Sequence, residues 1–436
     1  MNRDIMRNTF FLLLFLFLIL LISPIWGLVN QNGELFIDKT LRVDMVFTGD
    51  DNSQSAYISD LRWYNRATLN PVQFLSPFDF GEYRYMLISK NGDTLFKRGF
   101  STLFEEWRST SVARDKSRAF QQTLLMPFPG KKVKLVVEGR DSQGLFYPLI
   151  SEVVNCESRP ISMSTYNQYP LKTVHGDDLK DNYFDLLFVA EGYREEEMSK
   201  FYDDARRMKK ALLSVSPYSR YRDRIRIKAL ALPSKDKGVD DPVNGKWANS
   251  VLSSSYNILG IDRYLNSFKV WDLYDYVLPL KFDHVAILVN SEKYGGGGIY
   301  NYFSIVAAGH RDAETVLVHE LGHGMAGLGD EYFEDEVSYE NFINLEIEPW
   351  YPNLTTLVDF NKKWTSLIDE KTPVPTPDVP AYRNVTGLFE GGGYVSEGVY
   401  RPSFDCLMRR NSADGFCEVC SNIIEEKILF YSSGEN

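Results

Sequence analysis

Hydrophobic and polar positions divide the chain into two regimes. In the first, Leu41, Val43, Met45 and Phe47 alternate with Arg42 and Asp44, the period-two signature of a half-buried strand. Residues 83–89 and 94–100 flank Lys90-Asn91-Gly92-Asp93, and Asn-Gly between two such runs predicts a hairpin. Val133, Leu135 and Val137 alternate again. A polar turn at 139–144 then leads into another apolar run at 145–154. Short strands with polar turns predict an all-β sandwich over 28–160. No catalytic constellation is visible in it; substrate docking, cell-surface docking and a purely structural role are all open.

The second regime begins after a polar, proline-containing stretch at 161–179 that reads as a linker. Residues 184–190 are apolar but for Asp185 and read as a strand, 194–214 are charged and amphipathic, and 225–232 and 284–290 are further strands. Strands alternating with helices predict an α/β unit over 180–436, its mixed sheet covered on at least one face, so the chain is α+β as a whole. Residues 371–380, with four prolines, read as a surface loop.

The chemistry concentrates in His319-Glu320-Leu321-Gly322-His323. On a helix, histidines four apart share a face and can share a metal, and Glu320 is placed to hold a water and take its proton. The segment 314–318 before the motif, β-branched and apolar after Glu314, suits a buried helix rather than a solvated one. Two histidines leave a tetrahedral zinc one protein ligand short if a site stays open for water. Gly327 and Gly329 can end the helix and turn the chain back under the metal. Asp330 is the first acidic residue after that turn and the expected third ligand; Glu331 is the alternative, or an acceptor that holds a histidine N–H. Tyr332 is expected to pack rather than react. One Zn²⁺ ion per chain is therefore expected.

Composition narrows the partners. The chain of 436 residues has a formal net charge of −11 and no basic run, which argues against nucleic-acid binding. Its 14% aromatic residues suit β-rich packing. Arg3 and Arg7 precede an apolar run at 10–22, broken by Ser23 and Pro24. That run is short for a membrane span, so residues 1–27 read as a signal peptide, with an uncleaved anchor as the alternative. The expected location is periplasmic, cell-surface or extracellular, with no transmembrane domain in the mature chain. Of Cys156, Cys406, Cys417 and Cys420, the last two form Cys-x-x-Cys; with no histidine nearby, a disulfide between Cys406 and one of that pair is expected.

With these residues in view, 180–425 resembles the bacterial IgA metalloendopeptidase family, a branch of the zincins. The resemblance rests on Val189-Ala190-Glu191-Gly192-Tyr193, Tyr294 with the glycines 295–298, Pro352-Asn353-Leu354-Thr355-Thr356, Gly387-Leu388-Phe389-Glu390-Gly391 and Cys406-Leu407-Met408, besides the motif with its following Asp-Glu-Tyr. It implies His319, His323 and Asp330 as zinc ligands, Glu320 as general base and Met408 as an apolar floor beneath the metal. It also implies an N-terminal β-sandwich. Relative to the broader metzincin pattern, the third ligand comes one residue later and is Asp rather than His.

The expected function is a secreted zinc endopeptidase that hydrolyses protein or glycoprotein substrates, immunoglobulins among the candidates, with a zinc-activated water. Alternatives are an adhesin whose zincin-like domain does not cleave, and a zinc hydrolase of glycan or peptidoglycan amides. Tyr400 and Arg401 are candidate oxyanion donors. Gly296 and Gly297, in the glycine run, are candidate substrate contacts in a lid or rim loop, where a substrate can add as an extra strand. His310 is expected at the surface or behind the ligands rather than on the metal. Oligomeric state is not readable.

Overall fold

A computed structural model describes residues 35–65, 68–156, 162–163, 168–333 and 342–434. The signal-peptide reading of 1–27 lies outside the described residues. Among them, no helix is long and apolar enough to cross a membrane.

The first unit runs β1 (Phe36–Gly49), β2 (Gln54–Tyr64), β3 (Tyr83–Ile88), β4 (Thr94–Phe100), α1 (Leu103–Arg108), β5 (Arg118–Pro129), β6 (Val133–Arg140), β7 (Phe146–Val154) and β8 (Ser162–Met163). They form two four-stranded sheets, ordered β5-β1-β2-β8 and β4-β3-β6-β7. The β3–β4 hairpin closes where Asn-Gly predicted it: Ser89 N–H donates to Asp93 O at 2.8 Å, and Gly92 takes φ 94°. Leu41, Val43, Met45 and Phe47 of β1 are fully buried against Leu87, Leu135 and Val137 of the facing sheet, as the alternation requires.

The second unit continues with β9 (Leu171–His175), β10 (Phe184–Glu191), α2 (Met198–Leu212), β11 (Ile225–Leu230), α3 (Val270–Val277), β12 (His284–Val289), β13 (Gly296–Gly298), β14 (Ser304–Ala307), α4 (Ala313–Ala326), β15 (Phe389–Gly392), β16 (Val395–Arg401) and α5 (Glu418–Tyr431). Six strands make a mixed sheet in the order β13-β14-β12-β10-β11-β9, and β15–β16 is a separate hairpin. The four inner strands β14, β12, β10 and β11 are mutually parallel, while β13 and β9 run antiparallel at the edges. Part of the stretch read as a linker is therefore woven into the sheets: β8 pairs with β2, and β9 forms one edge of the second sheet. The polar alternation of β9 hid it, because an edge strand needs little apolar surface.

Every residue of β10 is buried, because the sheet is covered on both faces. Leu186, Phe188 and Ala190 face α2, α4 and α5. Leu187 and Val189 face the other way, into a core continuous with the sandwich through α3. Arg42 crosses that seam. Its guanidinium reaches Asp44 (2.7 Å) in its own strand, then Asp275 (2.6 Å) and the Trp271 carbonyl (2.9 Å) in α3. The sandwich and the second unit are thus packed as one body, and this places residues of the first beside the cleft of the second.

Candidate active site

Helix α4 carries the motif and sits unusually close to the sheet. Gly296 and Gly298 of β13 pass beneath Glu320 and His323, where a side chain has no room. A Cβ on Gly296 would lie 2.6 Å from Glu320 Oε1 and 2.7 Å from Val316 Cγ1. The glycine run is thus an edge strand rather than a lid or rim loop. It pairs with β14, and its outer side is partly taken, since Leu265 N–H donates to Gly296 O at 3.2 Å. His284 Nε2 lies 3.0 Å from Ser304 Oγ, which donates to the Glu320 carbonyl at 2.8 Å. This chain from β12 through β14 fixes the helix over the strands.

The helix ends at Gly327, with φ 71°. Gly327 N–H donates to His323 O (2.9 Å) and Leu328 N–H to Gly322 O (3.0 Å), the paired bonds of a left-handed glycine cap. The chain then doubles back. Gly329 packs against Leu354 and Tyr351, and Asn353 clasps the turn by accepting from Gly329 N–H (2.7 Å) and donating to Gly329 O (2.9 Å).

This return places Asp330 against the two histidines. The Nε2 atoms of His319 and His323 are 3.0 Å apart, and Asp330 Oδ1 lies 3.1 Å and 3.2 Å from them. Each imidazole gives its Nδ1–H to a carbonyl, His319 to Leu407 O (2.8 Å) and His323 to Leu328 O (2.7 Å), so both Nε2 lone pairs point at the common centre. Tyr394, in the β15–β16 turn, donates its hydroxyl to Asp330 Oδ2. Asp330 Oδ1 is buried with no hydrogen-bond partner. Three acceptors converging at these distances repel one another unless a cation lies among them. A tetrahedral zinc with bonds of about 2.0–2.1 Å needs ligand separations of about 3.3–3.4 Å. The observed triangle is within a few tenths of an ångström of that, so the residues fit the ion.

The electrostatics agree. Burial works to lower the His323 pKa, but the Asp330 carboxylate outweighs it and pushes the imidazole up to about 9. Burial alone would raise Asp330; the two histidines instead hold it far below the usual carboxylate range. Because a metal ligand must be deprotonated, a cation entering this centre displaces the proton that His323 and Asp330 otherwise share. Glu320, next to His319 in the chain, is raised by burial, with the histidines opposing.

The site opens into a cleft of about 420 Å³. Its walls include Gly296, Gly297, Tyr332, Tyr394 and Arg410, and the sandwich adds Glu82, Thr102, Glu105 and Glu106. The sandwich is therefore a wall of the cleft, which its sequence did not disclose. Glu106 accepts from the Tyr264 hydroxyl at 2.5 Å, and Glu82 from Trp350 Nε1 at 2.7 Å, so the two units are bonded together along this wall. Arg263 also lines the cleft, and its charge acts on Glu320.

Not every expected residue meets the cleft. Glu331 turns away and is wholly buried. Its Oε1 accepts from Asn353 Nδ2 (3.0 Å) and Cys420 Sγ (3.1 Å). Met408 is buried under α4, where a Cβ on Gly322 would meet its sulfur at 2.6 Å, a position that suits a floor. Tyr400 and Arg401 are not among the cleft residues. The Arg401 guanidinium is occupied by Glu390 O and Gly391 O of its own hairpin and by Asp378 of the preceding loop, and Tyr400 packs beside Trp364 and Leu388. His310 lies outside the cleft lining, against the Tyr294 ring and Asp312. The expected disulfide is absent. All four cysteines carry free thiols, with Cys406 beside the Cys417–Cys420 pair as expected but unbonded.

Tyr394 and Asn353 were missed as site residues. Each lies in or near a segment that carried the family resemblance, but only the folded chain brings them to Asp330 and its turn. Two family models match the chain: IgA Peptidase M64 over residues 175–381 and 378–428, and Peptidase M64 N-terminus over residues 32–150. No curated protein matches it.

Proposed function

The chain belongs to the IgA Peptidase M64 family and is a peptidase. On that premise we propose that it is an exported, zinc-dependent endopeptidase that cleaves protein or glycoprotein chains, with His319, His323 and Asp330 as metal ligands and Glu320 as general base. The observation that carries this reading is the triangle of His319 Nε2, His323 Nε2 and Asp330 Oδ1, with edges of 3.0–3.2 Å, beside Glu320 at the base of a cleft.

Zinc, when bound there, polarises the scissile carbonyl and lowers the pKa of water from about 16 towards about 7. The chain supplies the rest. Glu320 takes the proton of the attacking water and returns it to the leaving amine, and its burial raises its proton affinity in the direction that a shuttle needs. The carbonyls of Leu407 and Leu328 hold the imidazoles in the tautomer that presents Nε2. Tyr394 fixes the Asp330 carboxylate so that Oδ1 faces the histidines. The β13 edge gives the cleft a rigid border along which an extended peptide can lie.

The substrate side is tested by incubating pure protein with IgA, a mucin-type glycoprotein and casein, before and after chelation and again after zinc is restored. Cleavage that is lost on chelation and recovers with zinc supports the reading. Cleavage that persists in the fully chelated enzyme contradicts it.

A further inference from the structure

Behind the loop that carries Asp330 lies a second convergence of ligand groups. One ligand atom each from Glu331, Cys406, Cys417 and Cys420 lies within 4.8 Å of every other. They come from three places in the chain: the turn after α4, the segment that carries Met408, and the start of α5. We propose that these four side chains hold a second metal ion, a structural, thiophilic divalent cation of the zinc class, distinct from the His319 site.

Four observations carry this. The cluster has the number and kind of donors of a closed structural site, three thiols and a carboxylate. Backbone amides already turn towards the sulfurs, Cys417 N–H to Cys406 Sγ at 3.3 Å and Cys420 N–H to Cys417 Sγ at 3.5 Å, a pattern that stabilises thiolates. Cys417 caps α5, so two of the thiols sit at the positive end of a 14-residue helix. Glu331 Oε2 is fully buried and has no hydrogen-bond partner, which leaves a carboxylate oxygen in need of a cation.

A redox role for Cys-x-x-Cys fits less well, because Cys406 and Cys420 are fully buried and closed to a partner thiol. A disulfide would use two of the sulfurs and leave the third thiol and the carboxylate unexplained. Three thiolates, one carboxylate and a dication leave excess negative charge. Arg401 is close enough for its charge to act on Glu331 and offset part of it. This also gives Arg401 a role that its distance from the cleft otherwise leaves open.

The position explains why such a site is built. Glu331 N–H donates to Met408 O at 2.8 Å, so the Asp330 loop already rests on the Met408 segment. An ion behind it ties that loop, the floor and α5 together, and holds the third catalytic ligand in register.

The test is a metal count on the full-length protein by mass spectrometry. It should find two zinc ions per chain in the wild type, one in the His319→Ala/His323→Ala double variant and one in Cys417→Ser/Cys420→Ser. Wild-type protein loaded with Co²⁺ gives a second readout that does not depend on the cysteine variant folding. A thiolate-to-cobalt charge-transfer band in the near ultraviolet is expected, and it should survive His319→Ala/His323→Ala. That histidine variant also separates this proposal from the catalytic reading, since a failure of the His319 site leaves the band intact. One metal per wild-type chain with no such band would overturn the proposal. So would an intact mass lower by two hydrogens, mapped to a bond between Cys406 and Cys417 or Cys420.

Discussion

Gly296 lies directly under Glu320: a methyl group added to the glycine would sit 2.6 Å from the carboxylate oxygen. The glycine run is therefore not a lid or rim loop. It is the space that lets the strand and the active helix touch. Gly296→Ala must push Glu320 or Val316 aside. We expect peptide cleavage to fall at least tenfold with the zinc content unchanged. Gly415→Ala, where nothing lies within 4 Å, serves as the control and should leave activity intact. Metal analysis beside a steady-state assay checks both.

Tyr394 holds the far oxygen of Asp330. Tyr394→Phe keeps the ring, which stacks edge-on to Tyr332 at 5.4 Å, and removes only the hydroxyl. Loss of such an outer partner typically weakens metal binding about 10–100-fold. Zinc affinity measured by competition with a chromogenic chelator should fall in that range while the thermal midpoint changes little.

His284 predicts a pH dependence of stability. Burial pushes its imidazole down to about 3 in the folded chain, against about 6.5 when unfolded. Between those values the unfolded chain binds a proton that the folded chain refuses. The His284 contribution is thus intact above about pH 6.5 and falls by about 1.4 kcal/mol for each unit of acidification below it. Because His284 meets Ser304, and Ser304 holds the Glu320 carbonyl, acid should loosen the seat of α4. Denaturant unfolding between pH 7 and 5 should show this slope, and His284→Gln should flatten it.

Arg42 joins the two units from a fully buried position. Arg42→Ala leaves the buried Asp44 carboxylate with Thr123 but without its guanidinium, and breaks the link to Asp275. Breaking a buried pair in this way costs about 3–5 kcal/mol. Equilibrium unfolding should register that loss. Because sandwich residues such as Glu105 line the cleft, the Michaelis constant for a protein substrate should rise as well.

How much of this was legible in the sequence depended on how local the signal was. The β3–β4 hairpin, the alternation in β1 and the helix bearing His319 and His323 all rest on neighbours a few residues apart, and all were readable. Gly327 was readable as a helix stop for the same reason. The roles of Glu331, Asn353 and Tyr394 were not, because each depends on segments more than 20 residues apart meeting at the Asp330 turn. Cys417 and Cys420 show no carboxylate partner in the local sequence because Glu331 lies 86 positions before Cys417. Tyr400 and Arg401 have donor chemistry and lie near Met408 in sequence, but burial in the β15–β16 hairpin commits Arg401 to the carbonyls of Glu390 and Gly391.

In the proposed hydrolysis Glu320 moves the proton beside the His319–His323–Asp330 centre. Glu320→Gln keeps the size of the side chain and removes its basicity. The most direct measurement is the cleavage rate of casein or IgA by this variant and by wild type, each with its zinc content determined. A loss of at least a thousandfold is expected in the variant at equal zinc occupancy. Cleavage by Glu320→Gln within tenfold of wild type, with the metal in place, would contradict it.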